Sequence, residues 1–322
     1  MTDIRDDAAD GFAELFGYSP HGIWSAPGSV TLLGGDTVAL SIAINRRVVV
    51  AVGVRDDDVL RVASELADEV ASIRLSELTP ERLVGWSAYP FGVAWALGAL
   101  GADLSAVPGI DVYVESTVPV ASGLSSSAAL ESAVAVALDE VWQLGLDGAQ
   151  LAKAGWLSER GPGAGPLDQL AVMLGRPDHA ILVDGASLET TPIVLDFETA
   201  GVSVLVIDTD VSNADALRAE AVDDQRVLEA ADALHDGDLH AFGRMLDGSH
   251  PALHELDLAI ETAHANGALG ARTIGGGSVI ALVPADAVSR IQVALDGAFA
   301  EHGFAAPVAF TVATSHGAIR ER

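Results

Sequence analysis

Three consecutive serines, Ser125, Ser126 and Ser127, sit in the segment Pro119 to Ala129 (PVASGLSSSAA), a Gly/Ser-rich loop between a predicted strand and a long predicted helix. Such a place attracts anions. Unpaired backbone N–H groups converge at a helix start, the helix dipole adds about half a positive charge there, and serine hydroxyls can hold Mg2+ or phosphate oxygens. The competing reading is that the serines cap the helix, a task that one serine would satisfy. A Walker loop is excluded, because it needs a lysine after its glycine and Lys153 has no such neighbours.

Two further segments carry residues of chemical interest. Gly275-Gly276-Gly277-Ser278 precedes a predicted strand; three glycines there form a hairpin turn or let backbone approach a ligand closely. Gly165-Pro166-Leu167-Asp168-Gln169 sets an aspartate at the start of a helix, just after a glycine-rich loop. Asp168 in that position is either a cap or an acceptor for a hydroxyl proton in phosphoryl transfer.

The elements that must position these segments follow from hydrophobic periodicity. Residues 3 to 16 are weakly helical, 23 to 33 extended, and 47 to 54 (RVVVAVGV) with 60 to 64 (LRVAS) predict antiparallel strands on one sheet. Helices are predicted over 85–100 and 125–144, the second apolar enough to be buried, with a strand at 110–116 between them. Beyond the 161–165 loop come a helix at 167–174, strands at 180–184 and 202–208, and helices at 214–234 and 239–246. A glycine-rich strand pair at 267–283, a helix at 285–302 and a strand at 307–313 end the chain. The pattern is α+β, without internal repeats.

Composition bounds the rest. A length of 322 residues predicts two domains, and 50% hydrophobic against 20% charged residues predicts a globular protein. Lys and Arg number 17 against 46 Asp and Glu, a net charge of -29 that repels nucleic-acid phosphates and anionic lipid, so neither nucleic acid nor membrane is an expected partner. The absence of cysteine removes disulfides, thiolate catalysis and Cys-ligated metals, and the 9 histidines form no HExxH motif. The N-terminal stretch MTDIRDDAADGFAELF is acidic and has no apolar signal core, which predicts a cytoplasmic location.

In this order and spacing the three segments resemble the GHMP family of small-molecule kinases, and within it the galactokinases, along the whole chain. SAPGSVTLLGGDT resembles the first family motif, PVASGLSSSAALE the phosphate loop, GPLDQLAVMLGRPDHAILVDGASLET the catalytic-aspartate region and GARTIGGGSVIALV the third motif. The resemblance implies a two-domain α+β fold with the active site in the interdomain cleft and a left-handed βαβ crossover. On this reading residues 1–175 form the N-terminal domain, with the first motif, phosphate loop and catalytic Asp, and 176–322 the C-terminal domain with the glycine-rich motif. It further implies ATP and Mg2+ as cofactors and transfer of the γ-phosphoryl group to a hydroxyl of a small sugar or polyol.

Carried over by position, the resemblance makes Gly123, Leu124, Ser125, Ser126, Ser127 and Ala128 the triphosphate cradle, Ser127 the Mg2+ ligand and Asp168 the catalytic aspartate. Gly275, Gly276 and Gly277 support the cradle from the other domain, and Asp36, Gly165 and Asp168 lie toward the acceptor. The chain also departs from the family. Ser29 stands where galactokinases have an arginine, and Gly35, Asp36 and Val38 stand where they have sugar-binding Glu, His and Asp, with a deletion before Leu40. Their sugar-binding tyrosine falls at Glu220. Losing several hydroxyl contacts at about 1 kcal/mol each predicts poor binding of galactose itself. Two readings result: a galactokinase-like, ATP-dependent kinase of a sugar or related polyol with galactose itself in doubt, and a catalytically silent homologue serving as a nucleotide or metabolite sensor or as an interaction protein.

Overall fold

A computed structural model describes residues 3–35, 37–159, 166–211, 222–247 and 254–322. The chain begins with α1 (Ile4–Phe16), started by Asp3, which accepts from the Arg5 N–H at 3.0 Å, and closed by Gly17 in the left-handed region at φ 83°. Its buried Ala8 and Phe12 pack on Ile23, Val49 and Ala51. Those three belong to β1 (Gly22–Gly34) and β2 (Val38–Val54), two long antiparallel strands. β2 begins nine residues before the β-branched run would start it. Its first part, Val38 to Ser41, is held as strand between β1 and β6 (His179–Asp184), tertiary contacts that override weak local preference.

β3 (Val59–Ser64) and β4 (Ala71–Arg74) follow, then α2 (Ala88–Ala99) and β5 (Ile110–Ser116). β5 lies between β2 and β3, antiparallel to the first and parallel to the second, so β2 and β3 run in opposite directions on one sheet without touching. Next come three helices, α3 (Ser126–Trp142), α4 (Gly148–Ser158) and α5 (Pro166–Leu174). The chain then returns to the sheet through β6 and β7 (Glu189–Val194). The sheet order is β12-β1-β2-β5-β3-β4, with β6 on the early part of β2 and β7 beyond it. The last strand named there, β12 (Ile319–Arg320), is the end of the chain returning to β1.

A second, four-stranded sheet is built from β8 (Val202–Asp208), β9 (Gly270–Ile274), β10 (Ser278–Pro284) and β11 (Val308–Val312), in the order β11-β8-β10-β9. Between its strands lie α6 (Asp224–His235), α7 (Leu239–Leu246), α8 (His254–Ala265) and α9 (Val288–His302). Side chains alternate across β8, and both faces are covered. Val204 and Val206 join the large core that α2 to α7 share with the first sheet, while Leu205 and Ile207 join a separate core under α8 and α9. The fold is α+β, and the extended run 202–208 is buried for the reason its apolar continuity predicts.

By hydrogen bonding the first sheet runs past the expected boundary at 175/176 to Val194, and β12 comes back to it. We therefore propose a boundary by sheet membership in the 194–202 connection. The 161–165 loop and residues 214–221 of the predicted 214–234 helix lie outside the described residues. Among the described residues no helix is long and apolar enough to cross a membrane.

Candidate active site

The serine loop comes straight off β5 and turns sharply into α3. Two of its non-glycine residues, Ala121 and Ser125, adopt left-handed backbone at φ 61° and 54°, and Gly123 does so at φ 73°. Ser125 stands in the cap position of α3 yet gives no side-chain hydrogen bond to the helix. Instead its hydroxyl accepts from the Ser29 hydroxyl at 2.8 Å, and the Ser127 hydroxyl donates to Glu159 Oε1 at 2.6 Å. The first-turn N–H groups of α3 are thus not closed off by a serine cap, and they meet the cleft with the positive end of the helix dipole. Leu124 and Ala128 have buried side chains, so only their backbones can face a ligand.

The glycine cluster after β9 packs on this loop backbone to backbone. A Cβ on Gly123 would sit 1.8 Å from the Gly275 carbonyl oxygen, and one on Gly276, at φ 75°, would sit 2.2 Å from the Ala121 carbonyl oxygen. Only glycine permits that approach. Thr209 at the end of β8 secures the cluster from behind, its hydroxyl donating to the Gly277 carbonyl at 2.7 Å.

Asp168 stands in the first turn of α5 and faces the same space. The Thr31 hydroxyl of β1 approaches its Oδ1 at 3.4 Å. Its own surface opens onto the cleft while protein surrounds it, and this loss of water first, with the Glu159 carboxylate second, pushes the carboxyl above its ordinary range; hydrogen bonds from Thr31 and Ser125 act against the shift. Asp36 and Gly165, expected toward the acceptor, and Glu220, lie outside the described residues.

Several residues at the site were not evident in the sequence. Glu159 follows α4, a helix that hydrophobic periodicity does not bring out; the signal that could have found it is the capping box of Asp147 with Gln150 at its start. Glu131 is buried in α3 and joins the chain neighbours of Glu159 and Asp168: Ser158 donates to its Oε1 at 2.5 Å, and the Gln169 side-chain amide donates to its Oε2. Burial, with Glu159 adding to it, pushes the Glu131 carboxyl up to about 9, so it is neutral at physiological pH. Beside Ser126 and Ser127 opens an apolar cavity of about 450 Å3 walled by Val48, Trp86, Tyr89, Val114 and Leu130.

Among the described residues no group of three or more His, Asp or Glu side chains is arranged to hold a metal. A divalent ion here would rest on Ser127 and Glu159 together with phosphate oxygens, the sparse oxygen set that suits Mg2+. An uncapped helix start, a hydroxyl–carboxylate pair and a second carboxylate on one cleft are parts that phosphoryl transfer can use.

Comparison with known proteins bears on the same segments. Family models match at residues 88–176 (GHMP kinases N terminal domain), 230–301 (GHMP kinases C terminal) and 10–54 (galactokinase galactose-binding signature). The chain is similar to a galactokinase of Streptomyces coelicolor (strain ATCC BAA-471 / A3(2) / M145), at 35% identity over 98% of either chain. It belongs to the GHMP kinase family. The alignment with that relative runs to 384 residues, more than the 322 of this chain, so it contains gaps. A galactokinase of Mycobacterium tuberculosis (strain ATCC 25618 / H37Rv) is 33% identical over 82% of this chain and 89% of its own. Among solved structures, Lactococcus lactis galactokinase complexed with galactose superposes with a TM-score of 0.89 at 24% identity, covering 99% of this chain and 100% of that one. Methanococcus jannaschii mevalonate kinase follows with a TM-score of 0.71 at 18% identity, over 92% and 99%. Both share the two-domain GHMP fold with this chain.

Proposed function

We propose that this GHMP kinase transfers the γ-phosphoryl group of ATP to a hydroxyl of a sugar or related polyol. The observation that carries the reading is the convergence of the Ser127–Glu159 pair and Asp168 on the uncapped start of α3. The N–H groups of Ser126, Ser127 and Ala128 bind the phosphates, and the apolar cavity beside Ser126 takes the base. Mg2+, held by Ser127 and Glu159, would neutralise phosphate charge. Asp168 orients the acceptor hydroxyl and takes its proton as the hydroxyl oxygen bonds to phosphorus and the bond to the bridging β–γ oxygen breaks, leaving ADP.

Galactose is a poor acceptor on this reading. Gly35 and Val38 offer no side-chain hydrogen bond where the related enzymes have polar groups, and a site built on hydroxyl recognition loses orders of magnitude when several such groups are absent. One observation favours the alternative of a silent nucleotide-binding protein. Ser29 is fully buried where the family has a cation, so no guanidinium reaches the transferring group from that position. An ATP-consumption screen across neutral sugars and polyols, with Asp168→Asn as control, decides between them. Turnover abolished in the variant supports the kinase; no turnover on any acceptor, with ATP still bound, supports the silent homologue.

A further inference from the structure

The described residues of the β1–β2 turn are held by α6 and the residue pair that precedes it. Asp224, the first residue of α6, accepts from the Thr37 hydroxyl through Oδ2 at 2.6 Å, and through Oδ1 from the backbone N–H groups of Thr37 at 3.1 Å and Val38 at 3.2 Å. Two residues earlier the Val222 N–H donates to the Gly34 carbonyl at 2.8 Å. The fit leaves no slack, since a Cβ on Gly35 would lie 2.0 Å from Asp224 Oδ1.

This turn borders the acceptor end of the cleft. It continues β1 from Thr31, which touches Asp168, and the Thr37 carbonyl accepts from the Gly185 N–H at 2.8 Å. A Cβ on Gly185 would in turn lie 3.1 Å from Leu167, the residue before Asp168. The galactose-binding signature matched at residues 10–54 also contains the turn. Gly35 has no side chain to anchor the turn and Thr37 spends its hydroxyl on Asp224, so the position of the turn depends on what grips it from α6.

We propose that Asp224 is a specificity-determining positioning residue: by gripping the shortened β1–β2 turn from α6 it fixes the wall against which the acceptor is bound in front of Asp168. A carboxylate suits the task because two backbone N–H groups and one hydroxyl, all donors, converge on it. The proposal deepens the sugar-kinase reading and rests on it.

The test compares Asp224→Ala, Asp224→Asn and Gly35→Ala with the wild type, using the best neutral sugar found in the acceptor screen. Asp224→Ala removes the grip, and Gly35→Ala displaces the carboxylate without removing it. Both should raise the KM for the sugar about tenfold or more while the KM for ATP stays within about twofold. Asp224→Asn should recover the sugar KM to within about threefold, because its oxygen can accept from both N–H groups and its amide can donate to the Thr37 hydroxyl. An unchanged sugar KM in Asp224→Ala overturns the proposal. So does a parallel rise in both KM values, which marks general loosening, or an Asn variant no better than Ala. A wild type that phosphorylates no sugar at all removes the kinase reading itself and this role with it, an outcome distinct from an active wild type indifferent to residue 224.

Discussion

The hydroxyl of Ser127 and the carboxylate of Glu159 meet at 2.6 Å across the junction of α3 and the end of α4. Two hard oxygen donors suit a small divalent cation shared with phosphate, and the positive end of α3 draws in the phosphate. Ser127→Ala and Glu159→Gln should each raise the Mg2+ concentration for half-maximal ATP binding about tenfold or more, with Glu159→Gln the stronger because it removes a charge. Calorimetric titration of ATP at several Mg2+ concentrations measures this. An unaltered Mg2+ requirement in both variants would move the cation elsewhere.

Asp168→Asn should lower kcat by about 100-fold or more and leave thermal stability nearly unchanged, since the amide keeps the shape but takes no proton. The pH profile adds a second reading. Burial and Glu159 raise the Asp168 carboxyl, and the active form is the carboxylate, so turnover should fall with decreasing pH at an acid limb above the ordinary value of 3.8. An acid limb at or below 3.8 would remove the proton-accepting role.

The neutral Glu131 beneath the site makes a linkage prediction. Its carboxyl titrates at about 9 in the folded protein against an ordinary 4.5, so between those values the folded state holds a proton that the unfolded state has released. Its contribution to stability therefore declines as pH rises from about 4.5 to about 9. Glu131→Gln removes this dependence. In urea denaturation at pH 6 and pH 9, the wild type should lose more stability between the two than the variant does; equal losses would show that Glu131 is ionised when folded. The side chain lies four residues past Ser127 and bonds to the neighbours of both Glu159 and Asp168, so the variant also reports whether that underlay holds the site in shape.

Much of this arrangement could be read from residue pattern, and the unread part has a physical cause. The serine loop, Asp168 and the glycine cluster announce themselves because backbone geometry dictates their composition: Gly123 and Gly276 must be glycine where two loops touch. The buried strand 202–208 was legible because both its faces are covered. Glu159, Glu131 and Asp224 have no such local signature, being acidic residues in a chain rich in them, singled out only by partners from 27 to 187 residues away. The early part of β2 and the returning β7 were hidden for the same reason, since pairing with β1 and β6 for the first and with β6 for the second, rather than local preference, makes them strands.

Close contact between the two loops can be tested by adding one methyl group. At Gly276, alanine meets the Ala121 carbonyl in a left-handed backbone, whereas at Gly303, with a similar φ of 76°, nothing lies within 4 Å. Left-handed strain alone costs about 1–2 kcal/mol. Gly303→Ala should show only that loss in denaturant melts, and Gly276→Ala should lose more and weaken ATP binding about tenfold or more as the serine loop is pushed aside. Equal effects at the two sites would mean that the loops tolerate separation.

On the proposed sugar-kinase reading, Ser29→Arg should not by itself give robust galactose phosphorylation. Ser29 is fully buried, its N–H donates to the Leu124 carbonyl at 3.1 Å, and its hydroxyl donates to Ser125 at 2.8 Å. Beside it, a Cβ on Gly28 would already lie 2.7 Å from the Leu124 oxygen. An arginine at 29 must therefore send its guanidinium past Ser125 into the cleft, and the serine loop must give way to let it pass. Even a well-placed guanidinium would act on the charge of the phosphoryl group, where it can be worth orders of magnitude in rate. It would not replace the hydroxyl contacts absent at Gly35 and Val38. Ser29→Arg should accordingly raise galactose turnover by less than about tenfold and leave the sugar KM high, because the two defects lie in different steps. ADP release assayed with saturating ATP over a range of galactose concentrations separates them. A single-mutant rescue of both kcat and KM would place the main defect at residue 29 and restore galactose as the acceptor.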